Sequence, residues 1–394
     1  MGKPEVFIVG GARTPMAEYV GALRDVSAVE LGVTAARGAF AKTGVAPEWI
    51  DHVIIGNVLQ SGPESIYTAR HVGLKAGVPV ETPAFLVNRL CGSGIQAAIS
   101  GAQMIRLGEA QLVLTGGVES MSQAPHIIRG LRSGLKFGQG KLEDSLWECL
   151  LDPHSGCTMA ATAENCARKY GVTREEQDCF ALRSQQLAAA AWAEGRFGDE
   201  VVPVEIKTRK GVHLVERDDH MRTDTSLDGL SRLPPAFSKD GTVTAGNASG
   251  IVDGGAALIL ASAEAVDRHG LKPIGRLVDW ASVGVEPSMM GMGPAPATRA
   301  ALDRCGLTLG DIDLVEVNEA FAGQYLAVER ELALDRDRVN VNGGAVALGH
   351  PLGMTGTRLL LTLLLGLRRR QQTRGLATAC IGGGQGIAAV VETV

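Results

Sequence analysis

Aromatic residues make up only 4% of this chain of 394 residues, and neither sign of charge dominates, with 38 Lys and Arg against 43 Asp and Glu. A formal charge of -5 supplies no global field that would draw the protein to nucleic acid or to an anionic membrane. Neither is expected as a partner, and any anionic ligand must be held by a local patch. The seven cysteines are an odd number without a C-x-x-C pair, which excludes a disulfide framework and a structural zinc site. No metal site is expected. Long hydrophobic runs are also lacking: the longest, Leu359 to Leu367, contains Thr362 and Gly366 and stops at Arg368-Arg369-Arg370, far short of a bilayer span. It reads as a buried helix. No charged-then-apolar leader precedes the strand at Val6 to Val9, and Val391-Glu392-Thr393-Val394 is no recognisable address. Together with reduced cysteines, this sets the expectation of a cytoplasmic protein.

What is abundant is glycine, at 51 residues, in a chain that is 45% hydrophobic. Many tight turns and close helix-on-sheet contacts suit a layered α/β architecture better than a helical bundle. Two segments resemble each other, Ala39 to Val53 and Ala301 to Val315. Each is the end of an amphipathic helix, a Gly C-cap, a short link, Ile-Asp and a hydrophobic strand, with Gly44 to Ile50 spaced as Gly306 to Ile312. Downstream, Val87-Asn88 and Val341-Asn342 each lead into a glycine-containing turn and helix, followed by strands Leu112 to Gly117 and Leu376 to Gly384. Two similar βα halves packed together, each with a mostly parallel sheet, are therefore expected.

Residues 1–118, completed by about 248–272, form the first half, and residues 273–394 the second. Between them, residues 119–247 have a different character, with charged turns at Arg209-Lys210-Gly211 and Arg217-Asp218-Asp219-His220, and read as a long inserted loop domain. Within it, Thr173 as N-cap and Glu176 three residues on predict a helix over Arg174 to Ala193. So long an excursion from a compact unit is usually a lid or binding loop.

Cys91 follows the strand-like run Ala84 to Val87 and precedes helical spacing over Ile95 to Leu107. Alone, it reads first as a small buried hydrophobe. Gly92 and Gly94 shift that reading, because they permit close backbone approach to a ligand, and a helix start favours thiolate over thiol. His350 stands in a glycine-rich turn ahead of a helix, where an imidazole serves structure or catalysis equally. Cys380, in Cys380-Ile381-Gly382-Gly383-Gly384, repeats the setting of Cys91 beside backbone amides free to bind an oxyanion. Asn318 and Glu319 end a third strand. Two cysteines, a histidine and an asparagine at strand ends point to acyl transfer through a thioester. One thiolate attacks a carbonyl and a second group moves a proton.

These residues lie in VNRLCGSG (87–94), TAGNASG (244–250), NEAF (318–321), NGGAVALGHPLG (342–353) and CIGGGQG (380–386), which in this order resemble the motifs of the thiolases. The resemblance covers essentially the whole chain. It implies a thiolase-like fold and an acyl-CoA acyltransferase that cleaves 3-oxoacyl-CoA with CoA to acetyl-CoA and a shortened acyl-CoA, or runs the reverse condensation. It implies that Cys91 is acylated, that His350 lowers its proton affinity, and that Cys380 is the acid/base. Asn318 would position a water that forms one oxyanion hole with His350; the N–H groups of Cys91 and Gly382 would form the other. Coenzyme A would be a substrate and no cofactor would be permanently bound. Ser249 and Ala245 fall where thiolases contact the pantetheine arm, and Arg222 near where they meet the nucleotide.

Alternatives stay open at several of these positions. Ser249 equally suits a turn, Arg222 a solvated surface charge, and Phe237 either the cofactor or loop closure. Glu319 reads as an orienting carboxylate. The family further implies a homodimer or homotetramer, with Gln123 to Lys141 as an arm between subunits. One departure concerns Thr158, which stands where short-chain thiolases often carry histidine; His154 does not have the right spacing. This admits 3-oxoacyl groups that are longer than acetoacetyl or carry a functional group. The reading from a different class is a non-catalytic acyl-CoA or lipid-binding protein on the same fold.

Overall fold

The computed structural model describes residues 3–209 and 211–394. The first half runs β1 (Val6–Arg13), α1 (Ala28–Thr43), β2 (His52–Gly56), α2 (Thr68–Ala76), β3 (Ala84–Val87), α3 (Ser93–Leu107) and β4 (Leu112–Glu119). The intervening segment includes α4 (Met159–Tyr170) and α5 (Arg174–Ala193), and β5 (Val252–Ser262) follows it. The second half runs β6 (Gly275–Gly284), α6 (Pro294–Cys305), β7 (Leu314–Val317), α7 (Ala322–Leu332), α8 (Leu352–Arg369), β8 (Arg374–Ile381) and β9 (Gln385–Glu392).

The repeat seen in the sequence is a repeat of hydrogen bonds. Gly44 and Gly306 cap α1 and α6 in the left-handed region, at φ 71° and 65°. Asp51 Oδ2 then accepts from the N–H groups of Gln111 (2.7 Å) and Leu112 (2.9 Å). Asp313 Oδ2 accepts from those of Thr373 (2.9 Å) and Arg374 (2.8 Å). Each aspartate thereby fixes the entry of a buried strand, β4 or β8, beside its neighbour.

These nine strands belong to one sheet in the order β7-β8-β9-β6-β1-β5-β4-β2-β3, with β1 and β6 meeting antiparallel where Phe7 lies opposite Arg276. The expectation of a mostly parallel sheet fails in the middle. Pairing is parallel only at the two ends, β7 with β8 and β2 with β3 and β4, and antiparallel elsewhere. The reason is local at one junction: β8 and β9 are joined by the tight turn at Gly382 to Gly384. Gly383 and Gly384 adopt φ 77° and 84° there, and so short a link allows only a hairpin.

Side chains alternate between two covers on each half of the sheet, as period-two strands must. Leu258 and Leu260 of β5 face α3 and α8, while Ala257, Ile259 and Ala261 face α1 and α2. In β9, Ile387, Ala389 and Val391 face α3 and α8, and Ala388 and Val390 face α6 and α7. The helices α3 and α8 therefore lie at the centre of a helix–sheet–helix–sheet–helix stack. This explains the run Leu359 to Leu367, which is buried except for a partly exposed Leu365. No helix among the described residues is long and apolar enough to cross a membrane.

The central pair approaches closely because glycine lines the crossing. A Cβ on Gly94 would lie 2.4 Å from the backbone nitrogen of Thr357, and one on Gly356 would lie 2.3 Å from that of Ile95. The inserted segment is pinned to β1 through the buried Arg13, which donates to Asp218 (2.7 and 2.9 Å) and Glu200 (2.6 Å). The helix over Arg174–Ala193 forms with the Thr173 and Glu176 capping box that its sequence announces.

Candidate active site

The glycine crossing of α3 and α8 brings their N-terminal ends together, and the candidate residues sit there. Cys91 lies in a single helical turn, Leu90–Gly92, between β3 and α3. Leu90 before it adopts φ 46°, a conformation costly for a branched side chain and paid here where the sulfur must be aimed. Asn88 Oδ1 accepts from its N–H at 3.0 Å, which holds that turn.

The backbone N–H groups of Gly382 and of Cys91 itself lie where they favour a thiolate on the Cys91 sulfur. Two amides from opposite halves of the chain thus converge on one point, a ready oxyanion site. They do not make the thiol acidic. Burial pushes it up to about 11, against the sequence expectation of a thiolate, because loss of water outweighs the two N–H donors. Cys380, fully buried at the end of β8, is also pushed up by burial and by the neighbouring Cys91, so the two thiols share one site.

His350 precedes α8, and its N–H donates to Gly250 O at 2.9 Å. Burial and the nearby Arg358 guanidinium lower its imidazole to about 3, so it is neutral. Nδ1 lies 2.6 Å from Thr355 Oγ1, and Nε2 lies 3.3 Å from Nδ2 of Asn318, which follows β7. Oδ1 of Asn318 is buried without a partner, an acceptor left for a water or a substrate group. Leu352, just past His350, packs against Cys91 together with Leu59, Met121 and Leu146. Met159, Met290, Ala320 and Phe321 surround Cys380. Glu319 does not face this site: it accepts from Ser184 Oγ (2.7 Å), Asn340 Nδ2 (2.8 Å) and the Val346 N–H (3.1 Å).

A cleft of about 490 Å³ is lined by Arg222, Ala245, Ser226, His220, Leu230 and Val346 among others. Arg222 pairs there with Glu18 at 2.9 Å, and its side chain remains 59% exposed. Ser249 does not line the cleft; its N–H bonds Ala320 O at 3.0 Å, so the segment from Ala245 to Ser249 leads from the cleft toward Cys380. Phe237 is half-exposed and outside the lining. Thr158 caps α4, accepting from the Ala161 N–H at 3.1 Å, and His154 is exposed on a turn. Among the described residues, no group of His, Cys, Asp and Glu could hold a metal ion.

Sequence reasoning missed Thr355 and Glu119. The first was legible as a hydroxyl one helical turn past a histidine. The second, a carboxylate ending a buried strand, gave no signal short of its tertiary partners.

Residues 6–264 match the thiolase N-terminal domain and residues 271–393 the thiolase C-terminal domain. The chain is 54% identical over 389 residues to the mitochondrial 3-ketoacyl-CoA thiolase of Homo sapiens, covering 98% of each. It is 50% identical over 390 residues to the acetyl-CoA acetyltransferase of Chromobacterium violaceum, covering 98% of this chain and 99% of that one. The crystal structure of human mitochondrial 3-ketoacyl-CoA thiolase in complex with CoA superposes with a TM-score of 0.97 at 52% identity, over 99% of this chain and 98% of that one.

One expectation is overturned by these relatives. A cytoplasmic location was read from the absence of a leader and from free cysteines, yet relatives at 50 to 54% identity are named mitochondrial. Reduced thiols report a redox environment and not an address. By domain match, identity and superposition over nearly its whole length, the chain belongs to the thiolase family.

Proposed function

We propose that the protein is a CoA-dependent acyltransferase that cleaves 3-oxoacyl-CoA to acetyl-CoA and a shortened acyl-CoA, and catalyses the reverse condensation. The observation that carries this reading is the neighbourhood of the Cys91 sulfur, the Gly382 and Cys91 amides and the Cys380 thiol in one buried site. In the cleavage direction, His350 Nε2 takes the Cys91 proton and the sulfur attacks the 3-oxo carbonyl. The two amides stabilise the alkoxide that forms, the bond between C2 and C3 breaks, and Cys380 gives its proton to the departing acetyl-CoA carbon. Cys380 then takes the proton of incoming CoA, whose sulfur attacks the Cys91 thioester; the bond from the acyl carbon to the Cys91 sulfur breaks, and that sulfur recovers the proton held by His350. Asn318, with its free Oδ1, orients a water beside His350 Nε2.

The cleft at Arg222 and Ala245 suits CoA, with the segment to Ser249 guiding the pantetheine arm. Thr158 in place of an imidazole favours acyl chains longer than acetoacetyl. A homodimer or homotetramer is supported by the hairpin of Ile128 and Leu142, whose Ile128, Leu131, Leu135 and Phe137 are exposed.

Intact mass after brief incubation with acetyl-CoA tests the reading. An acetyl adduct is expected on wild type and not on Cys91→Ala, followed by thiolysis over a series of 3-oxoacyl-CoA lengths. Stoichiometric CoA binding with neither adduct nor turnover would replace the enzyme by a binding protein.

A further inference from the structure

Glu119 ends β4 as a fully buried carboxylate beside the nucleophile. Oε1 accepts from Asn57 Nδ2 at 2.7 Å and from the Leu59 N–H at 2.9 Å; Oε2 accepts from the Val58 N–H at 3.1 Å and from the Gly353 N–H at 2.8 Å. The first three donors belong to the exit of β2, and the fourth to the first turn of α8. Leu59, itself one of those donors, and Leu352, next to Gly353, are packed on Cys91. One side chain thus ties the wall of the nucleophile's pocket, in the first half, to the segment that carries His350, in the second.

We propose that Glu119 is a positioning residue for acyl transfer, a carboxylate clasp that holds the Cys91 pocket in register with His350. The chemistry requires a carboxylate: four N–H donors converge on it, two on each oxygen, and a glutamine would set its own amide hydrogens against two of them. The titratable groups facing it are Asp253 of β5, Cys91 in its turn and Cys149 of the inserted segment. None is a cation, so the carboxylate sits without a counter-charge and opposes a standing thiolate on Cys91. Burial pushes Glu119 itself up to about 7, against the pull of its donors. Burial is the larger cause of the sulfur's proton affinity, and the clasp adds to it.

This inference rests on the reading of Cys91 as the acylated residue, and the test separates the two. Acetylation of Cys91 by acetyl-CoA and its alkylation by iodoacetamide across pH are measured for wild type, Glu119→Gln, Glu119→Asp and Asn57→Ala. Glu119→Gln is expected to slow acetylation about 10- to 100-fold while moving the alkylation midpoint to lower pH, since a like charge is gone. Glu119→Asp keeps the charge but shortens the reach, and slows acetylation without that downward shift. Asn57→Ala removes one donor, lowering kcat with KM unchanged, and carries the test if Glu119→Gln does not fold. A folded Glu119→Gln that acetylates at the wild-type rate, or slows with its midpoint unmoved, overturns the clasp while leaving the function standing. A wild type that takes no acetyl group overturns the functional reading and the clasp with it.

Discussion

The imidazole of His350 is oriented by Thr355: Nδ1 lies 2.6 Å from Oγ1, and that hydroxyl donates to Pro351 O at 2.9 Å. A hydroxyl has one proton, so Thr355 must accept from Nδ1–H, which leaves the lone pair on Nε2. The tautomer with a proton-accepting Nε2 is therefore set one helical turn away. Thr355→Val strands Nδ1–H in a buried site and is expected to slow Cys91 acetylation about 10- to 100-fold. Rapid-quench mass measurement of the acyl-enzyme checks this, and an unchanged rate would mean the hydroxyl does not select the tautomer.

Because burial holds the Cys91 thiol near 11, its alkylation by iodoacetamide should be slow at neutral pH and keep rising beyond pH 9. Acetylation by acetyl-CoA should not share that profile if, as proposed, His350 removes the proton within the complex. His350→Ala is expected to lower acetylation about 10²- to 10⁴-fold and leave alkylation at high pH intact. Equal losses in both reactions would count against general-base action.

Stability should fall as pH rises from about 6.5 to 8. Burial raises the carboxyls of Glu119 and Glu316 to about 7 and about 8, so the folded state holds protons that the unfolded chain has released. Below about 6.5 the neutral His350, lowered to about 3, works in the opposite sense, because the unfolded chain binds its proton and the folded one does not. Above that pH only the carboxylates remain. Thermal midpoints across this window test the sign, and Glu316→Gln should flatten the slope.

The central helix dominates the core, so its apolar contacts should be costly to remove. Leu360→Ala, at a fully buried site in α8, is expected to lower unfolding free energy by about 2–5 kcal/mol. Leu107→Ala, at the exposed end of α3, should change it by less than about 0.5 kcal/mol. Denaturant titration distinguishes them; similar losses would contradict the layer order described above.

Much of this protein was legible from its residues because the relevant signals are short-range. The capping box of α5, the glycine C-caps at Gly44 and Gly306, the paired Ile-Asp segments and the strand-turn-helix around Cys91 each depend on neighbours a few positions apart. Motif order sufficed for the family. What only the tertiary structure decided depends on groups brought together from distant parts of the chain. The sheet's antiparallel middle follows from where β1, β5, β6 and β9 meet. The high proton affinity of Cys91 follows from loss of water, a property of the packed site that no local dipole could overcome. The reach of Glu119 from β4 to Asn57 and to Gly353 exists only once two halves with separate local codes are pressed together along α3 and α8.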